Sequence, residues 1–128
     1  MTHPIIYNKD EKSFQFMKKE FDVMDYRIDE TTATVSIGGE LDHHSLRETT
    51  IAVNSIIDTY LPKTLILDMG NVRFMDSSGL ALVIGGSRKM SELNGRVIIR
   101  NVPPQPMKVL NAAGISRFVT IENTGKVV

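Results

Sequence analysis

The sequence predicts a single α/β domain built on a mixed β-sheet, and three observations carry that reading. After an opening pair of strand-like segments, strands and helices alternate along the chain. That order gives parallel pairing through right-handed crossovers. The run Leu65-Ile66-Leu67 is apolar at consecutive positions, as in a strand buried on both faces of a sheet. Finally, 128 residues fit one domain, which can bury roughly two thirds of its unfolded surface without disulfides or metals.

Residues 1–20 read as an N-terminal extension and 21–128 as the domain. The extension is polar, with Phe14, Met17 and Phe21 spaced for a short amphipathic helix. The alternative is a segment that frays or docks loosely. "FDVMDYRID" (21–29) and "TTATVSIGG" (31–39) then read as a hairpin. Ala33, Val35 and Ile37 alternate with Thr34 and Ser36, and Gly38-Gly39 ends the second strand. Residues 44–61 fit a helix, with Leu46, Val53, Ile56, Ile57, Tyr60 and Leu61 on one stripe and Pro62 as its stop. "KTLILDM" (63–69) is the buried strand.

The second helix spans 77–93. Leu80, Val83, Ile84, Ser87 and Met90 define its core face, Arg88, Lys89 and Glu92 its polar face, and Gly95 its end. "RVIIRN" (96–101) is the next strand. "PPQP" breaks the chain, "QPMKVLNAAG" (105–114) is a short third helix closed by Gly114, and "RFVTIEN" (117–123) is the last strand.

Composition narrows the function. Lys+Arg and Asp+Glu both total 15, so net charge gives no bias toward nucleic acid or anionic membrane. No apolar stretch approaches the ~18 residues of a membrane span. The N-terminus carries no basic region followed by an apolar core, so no signal peptide is expected and the reading is a cytoplasmic protein. With no cysteine there is no thiolate nucleophile or disulfide framework. Phosphate-binding Gly-rich loops, paired-histidine zinc motifs and nucleophile elbows are absent from the sequence.

His43 and His44 are adjacent, so they diverge on a helix or strand rather than converge on one metal. The loop Asp42-His43-His44 reads as a helix cap. Asp68 and Asp76 flank the loop after the buried strand, at the strand ends where ligands bind in open α/β sheets. No base, activated nucleophile or ligand set accompanies them, so the chain reads as a non-enzyme without cofactor or metal.

The stretch "FMDSSGL" (74–80) holds three N-cap candidates in a row, Asp76, Ser77 and Ser78. Only one residue caps a helix, which leaves a hydroxyl spare. A phosphate there would face unpaired first-turn N–H groups and the positive end of the helix dipole, and its charge would transform any interface over that spot. Leu82, Gly86 and Leu93 fall off the core stripe. Glycine there permits close approach by another backbone, either the domain's own elements or a partner surface running down the helix from Ser77.

"GGELDHHSLRE" (38–48) and "LILDMGNVRFMDSSGLALVIGGSRKM" (65–90), in this order and spacing, resemble STAS domains, specifically stand-alone bacterial anti-sigma factor antagonists of the sporulation type. "NVPPQPMKVLNAAGISRFVTIEN" resembles the family's ending, so the likeness spans about residues 21–123. The segment before residue 21 is longer than is typical of these antagonists. The resemblance implies a mixed sheet with helices largely on one face. It implies binding to an anti-sigma factor that is also a GHKL-type serine kinase, which releases the sigma factor and starts transcription. It implies inactivation by phosphorylation at Ser77, the first serine of D-S-S-G, and reversal by a PP2C-type phosphatase. The implied partner surface is Glu40, Leu41, Asp42, His43 and His44 with Asp76, Ser78, Gly79 and Leu80; Leu82 and Gly86 would extend it. Alternatives are a STAS module that binds a nucleotide or other small ligand, or one that serves another partner-switching or stress scaffold.

Overall fold

The computed structural model describes residues 23–123. The amphipathic segment proposed within 1–20 lies outside them, as do residues 21–22 of the first predicted strand. Strands β1 (Val23–Asp29) and β2 (Thr32–Leu41) form the expected antiparallel hairpin, turning through Glu30 at φ 57°. Helix α1 (Leu46–Tyr60) leads to β3 (Thr64–Met75), α2 (Gly79–Glu92) to β4 (Arg96–Arg100), and α3 (Pro104–Ala112) with a 3₁₀ turn (Ile115–Arg117) to β5 (Thr120–Glu122). The sheet order is β1-β2-β3-β4-β5, with every pair after the hairpin parallel. Parallel neighbours in sequential order require crossovers of one hand, which stack the helices on the same face.

Strand alternation sets that face. Ala33, Val35 and Ile37 of β2, Leu65, Leu67 and Met69 of β3, and Val97 and Ile99 of β4 pack with Ala52, Val53, Ile56 and Ile57 of α1 and Leu82, Val83 and Met90 of α2. Ile66 and Ile98 are buried outside that cluster, on the opposite face by the same alternation, so the centre of the sheet is apolar on both sides as Leu65-Ile66-Leu67 predicts.

Several boundaries differ from the sequence expectation. β2 does not stop at Gly38-Gly39. It runs to Leu41, with irregular register between Ser36 and Gly38 and between Gly39 and Glu40, and Gly39 adopts φ 75°. β3 likewise runs six residues beyond Met69, so Asp68 lies within the strand rather than at its end. Leu61 is the left-handed C-cap of α1 and is 58% exposed, not part of the core stripe. The last strand is shorter than expected, because Ile115–Arg117 forms the tight turn after Gly114 (φ 65°).

The core face of α2 is turned by about one residue, or ~100° of helix rotation, from the expected stripe. Gly79, Leu82, Val83, Gly86 and Met90 are buried, while Ile84 is 37% exposed and Leu80 and Ser87 are half-buried. Two of the inward positions are glycines, which carry no apolar signal in a sequence yet let the helix sit close to the sheet. A Cβ on Gly86 would meet Leu65 Cδ2 at 3.8 Å. Leu82 and Gly86 are therefore core residues, and the expected partner surface down this side of α2 is not there to be touched.

Candidate functional site

The long pairing of β2 with β3 brings two loops to one end of the sheet. Leu41 pairs with Met75, the last residue of each strand, and the Asp76 amide donates to the Leu41 carbonyl at 3.4 Å. The loop Asp42–Ser45 thus lies beside the turn Asp76–Ser78. Gly79 makes this approach possible: a Cβ there would lie 2.7 Å from Met75 Cγ and 3.3 Å from the Leu41 carbonyl oxygen.

The turn into α2 resolves which residue caps the helix. Asp76 Oδ1 accepts from the Ser78 amide at 2.8 Å. The amides of Gly79, Leu80 and Ala81 donate to the carbonyls of Asp76, Ser77 and Ser78 at 3.0, 3.1 and 3.1 Å. Ser78 occupies the N-cap position in helical conformation without a side-chain cap bond. Asp76 therefore does the capping. Ser77 is exposed and Ser78 half-buried. The first-turn amides are already engaged by i−3 carbonyls, so the expected row of unpaired N–H groups is absent at this turn. A phosphate on Ser77 would meet the helix dipole without free amides from Ser78 to Ala81. The same engagement removes the basis for a nucleotide site built on this helix start.

The neighbouring loop is tied by its own carboxylate. Asp42 Oδ1 accepts from the His44 amide at 3.0 Å and the Ser45 amide at 3.2 Å, and the Asp42 carbonyl accepts from Leu46 at 3.0 Å to open α1. Ser45 Oγ donates to the Glu40 carbonyl at 2.6 Å. The Ser45 amide, helped by the His44 amide and ring, holds the Asp42 carboxyl below the ordinary aspartate range. With Asp42 occupied in this way, the exposed rings of His43 and His44 stand edge-to-face with centroids 5.7 Å apart. Among the described residues, no group of three or more His, Cys, Asp or Glu side chains could hold a metal ion.

The expected site residues divide into two groups. Glu40, His43, His44 and Ser77 are exposed, and Asp42, Asp76, Ser78 and Leu80 are half-buried; these make up the accessible surface at this end. Leu41 and Gly79 are buried. They hold the two loops together and do not present side chains to a partner, a correction to their expected role. Asp68 does not join Asp76 as a carboxylate pair across a loop: it accepts from the Gly70 amide at 2.9 Å and Asn101 Nδ2 at 3.3 Å within the sheet.

Two residues near Ser77 escaped the sequence reading. Phe74, 42% exposed, adds an apolar side chain to the strand end just before the turn. Gln105, inside what reads as a chain-breaking "PPQP", hydrogen-bonds both backbone groups of Met75. A lone glutamine between prolines carries no signal of that contact.

The profile of the STAS domain family matches residues 23–126. An anti-sigma F factor antagonist of Lysinibacillus sphaericus is 32% identical over 88 residues, which is 69% of this chain and 75% of that protein. Among solved structures, the anti-sigma factor antagonist SpoIIAA in its unphosphorylated form superposes with a TM-score of 0.69 at 27% identity, covering 80% of this chain and 88% of that one. The Bacillus cell fate determinant SpoIIAA in its phosphorylated form superposes with a TM-score of 0.63 at 27% identity, covering 80% and 91%.

Proposed function

The chain belongs to the STAS domain family, and on that premise we propose that it is an anti-sigma factor antagonist switched by phosphorylation of Ser77. In this reading the unmodified chain binds an anti-sigma factor that is also a GHKL-type serine kinase, releases the sigma factor, and works in the cytoplasm as a binding module rather than an enzyme. A PP2C-type phosphatase restores the modified form. The observation that carries the proposal is the state of Ser77: an exposed serine, freed from capping by Asp76, beside the Asp42–Ser45 loop. The relatives named as anti-sigma F factor antagonists, and a related fold known with and without phosphate, support it.

In this reading Ser77 Oγ attacks the γ-phosphorus of the kinase's ATP, the bond to the β–γ bridging oxygen breaks, ADP leaves, and the hydroxyl proton passes to a base of the kinase or to water. The product carries a charge of about −1.5 to −2. Asp76 is adjacent in sequence and Asp42 sits on the neighbouring loop, so the new charge adds to carboxylates at this end of the sheet. An interface fitted to a neutral hydroxyl would have to bury that charge unpaired, which costs several kcal/mol. Each ~1.4 kcal/mol is tenfold in affinity, so a switch of about 10²-fold or more needs no refolding.

Incubation with the kinase and ATP, followed by mass-spectrometric mapping, tests this directly. The expected product is a single phosphate on Ser77. Ser77→Ala should bind the kinase and resist inactivation, and Ser77→Asp should fail to bind. Modification at Ser78 alone, or none, would refute the assignment.

A further inference from the structure

We propose that Gln105 is a positioning residue for the Ser77 site, holding the peptide that leads into the Asp76–Ser78 turn; the proposal rests on Ser77 being the phosphoacceptor. The need for such a residue comes from unequal strands. β3 has 12 residues and β4 has five, and their pairing ends at Asp68 and Arg100. Beyond that point the β4-side edge of β3 has no strand partner, although the other edge stays paired with β2 as far as Met75.

The Gln105 side chain takes the place of the missing strand at the last residue. Its Oε1 accepts from the Met75 amide at 2.8 Å, and its Nε2 donates to the Met75 carbonyl at 2.8 Å. A primary amide offers one acceptor and one donor side by side, as a neighbouring strand's backbone does. The reverse orientation would set donor against donor, so the amide has one sense here.

The consequence concerns a single peptide plane. The Met75 carbonyl and the Asp76 amide belong to the same rigid unit. Gln105 Nε2 holds its carbonyl end, and the Leu41 carbonyl accepts from its amide end at 3.4 Å. The plane is therefore gripped from α3 on one side and from β2 on the other. Ser77 follows immediately, so the orientation of this plane sets where the Ser77 hydroxyl stands. Gln105 is itself held by its setting. Pro104 and Pro106 flank it with fixed φ, Pro106 is buried, and the Met107 amide donates to the Pro103 carbonyl at 2.9 Å to close the first turn of α3.

Gln105→Ala removes both bonds. Gln105→Glu keeps the shape and the acceptor but, ionised at neutral pH, offers no donor to the Met75 carbonyl. The test uses the full chain and its kinase, at a temperature well below melting. It records amide exchange at Met75, the backbone resonances of Ser77 and Ser78, and kcat and KM for phosphorylation. Loss of the Oε1 acceptor in Gln105→Ala should speed Met75 exchange about tenfold or more, whereas Gln105→Glu, which keeps that acceptor, is read through the Ser77 and Ser78 resonances and kcat. In both variants the Ser77 and Ser78 resonances should shift, and kcat should fall about tenfold while KM stays within about twofold, the pattern of a misplaced reacting group. A residue that only stabilised the fold would leave kcat unchanged in folded protein. Wild-type resonances at Ser77 and Ser78 in folded Gln105→Glu, or wild-type kcat, would overturn the proposal. If the wild-type chain takes no phosphate at Ser77, the phosphoacceptor reading falls, and the Ser77 and Ser78 resonances alone decide whether Gln105 orders the turn.

Discussion

Gly86 separates two accounts of α2 by the sign of a stability change. The residue is buried, and an added Cβ would find Leu65 Cδ2 at 3.8 Å, an ordinary van der Waals contact, as its neighbour in the sheet. Gly86→Ala should therefore fit without rearrangement. It gains about 1 kcal/mol of helix propensity and up to ~0.8 kcal/mol from the buried methyl. Together these raise Tm by about 4–8 °C for a domain of this size. Gly86→Leu carries three more carbons toward Leu65 and overpacks the contact, a cost of about 1–3 kcal/mol. That should offset the propensity gain and leave Tm at least several degrees below the alanine form. Gly85, where a Cβ meets nothing within 4 Å, is the control: its leucine form should not show the drop. Scanning calorimetry of the three variants, with a partner-binding measurement on each, distinguishes the accounts. If Gly86 lined a partner surface, Gly86→Leu would melt at or above wild type and lose only binding. That result would refute the core assignment and the rotation of α2 inferred from it.

Two further outcomes follow from the site. Gly79→Ala should lower Tm, because its Cβ would press to 2.7 Å on Met75 Cγ and 3.3 Å on the Leu41 carbonyl; overpacking of about 1–3 kcal/mol outweighs the propensity gain at a helix terminus. It should also slow phosphorylation of Ser77 more than a remote variant with the same Tm loss, since it separates the two loops. The Asp42 carboxyl should titrate below the ordinary aspartate value of about 3.9. Because its folded pKa is lowered, its contribution to loop order is complete above the ordinary value and lost as pH falls through the depressed one. Carboxyl carbon shifts followed by NMR check both the midpoint and the simultaneous change at the His44 and Ser45 amides, and a midpoint at or above the ordinary value would count against the hydrogen-bonded loop.

The alternation of elements made the fold legible, and the two motifs marked the loops that meet at one end of the sheet, but the reasons for the misses are local. The outer half of β3 did not read as a strand because its buried residues, Met69, Val72 and Met75, are three apart rather than two. The irregular register opposite Gly38 and Gly39 shifts the phase of the pleat, so a period-2 search ends at Met69. Those glycines looked like a stop for the same reason: sequence patterns treat Gly as punctuation, and here it permits bulges inside a continuing strand. On α2 the error ran the other way. Leu80 and Ile84 drew the predicted stripe toward themselves, while Gly79 and Gly86 marked the true inward face by close approach rather than by hydrophobicity. The contacts of Gln105 and of the Leu41 carbonyl are set by tertiary geometry, and no local pattern encodes them.

The way the helix start is satisfied bears on what kind of switch this site can be. Helix N-termini often receive a phosphate through free amides, and capture of that kind would favour a rearranged loop. Here Asp76 takes the Ser78 amide, and the next three amides have carbonyl partners. A phosphate on Ser77 gains the dipole term, about 0.3–1 kcal/mol, and meets like charge from Asp76, which acts in the opposite direction. The two act in opposite directions within the monomer, and the phosphate finds no free amide from Ser78 to Ala81 to draw the turn into a new shape. In the proposed function its leverage lies outside, at the exposed surface of Glu40, His43, His44 and Ser77. The pairing of Leu41 with Met75, the absence of a Cβ at Gly79 and the grip of Gln105 all keep that surface fixed. A surface held by these contacts, with the Ser77 hydroxyl exposed, suits the proposed module, bound when neutral and rejected when charged, better than one read by a change of shape.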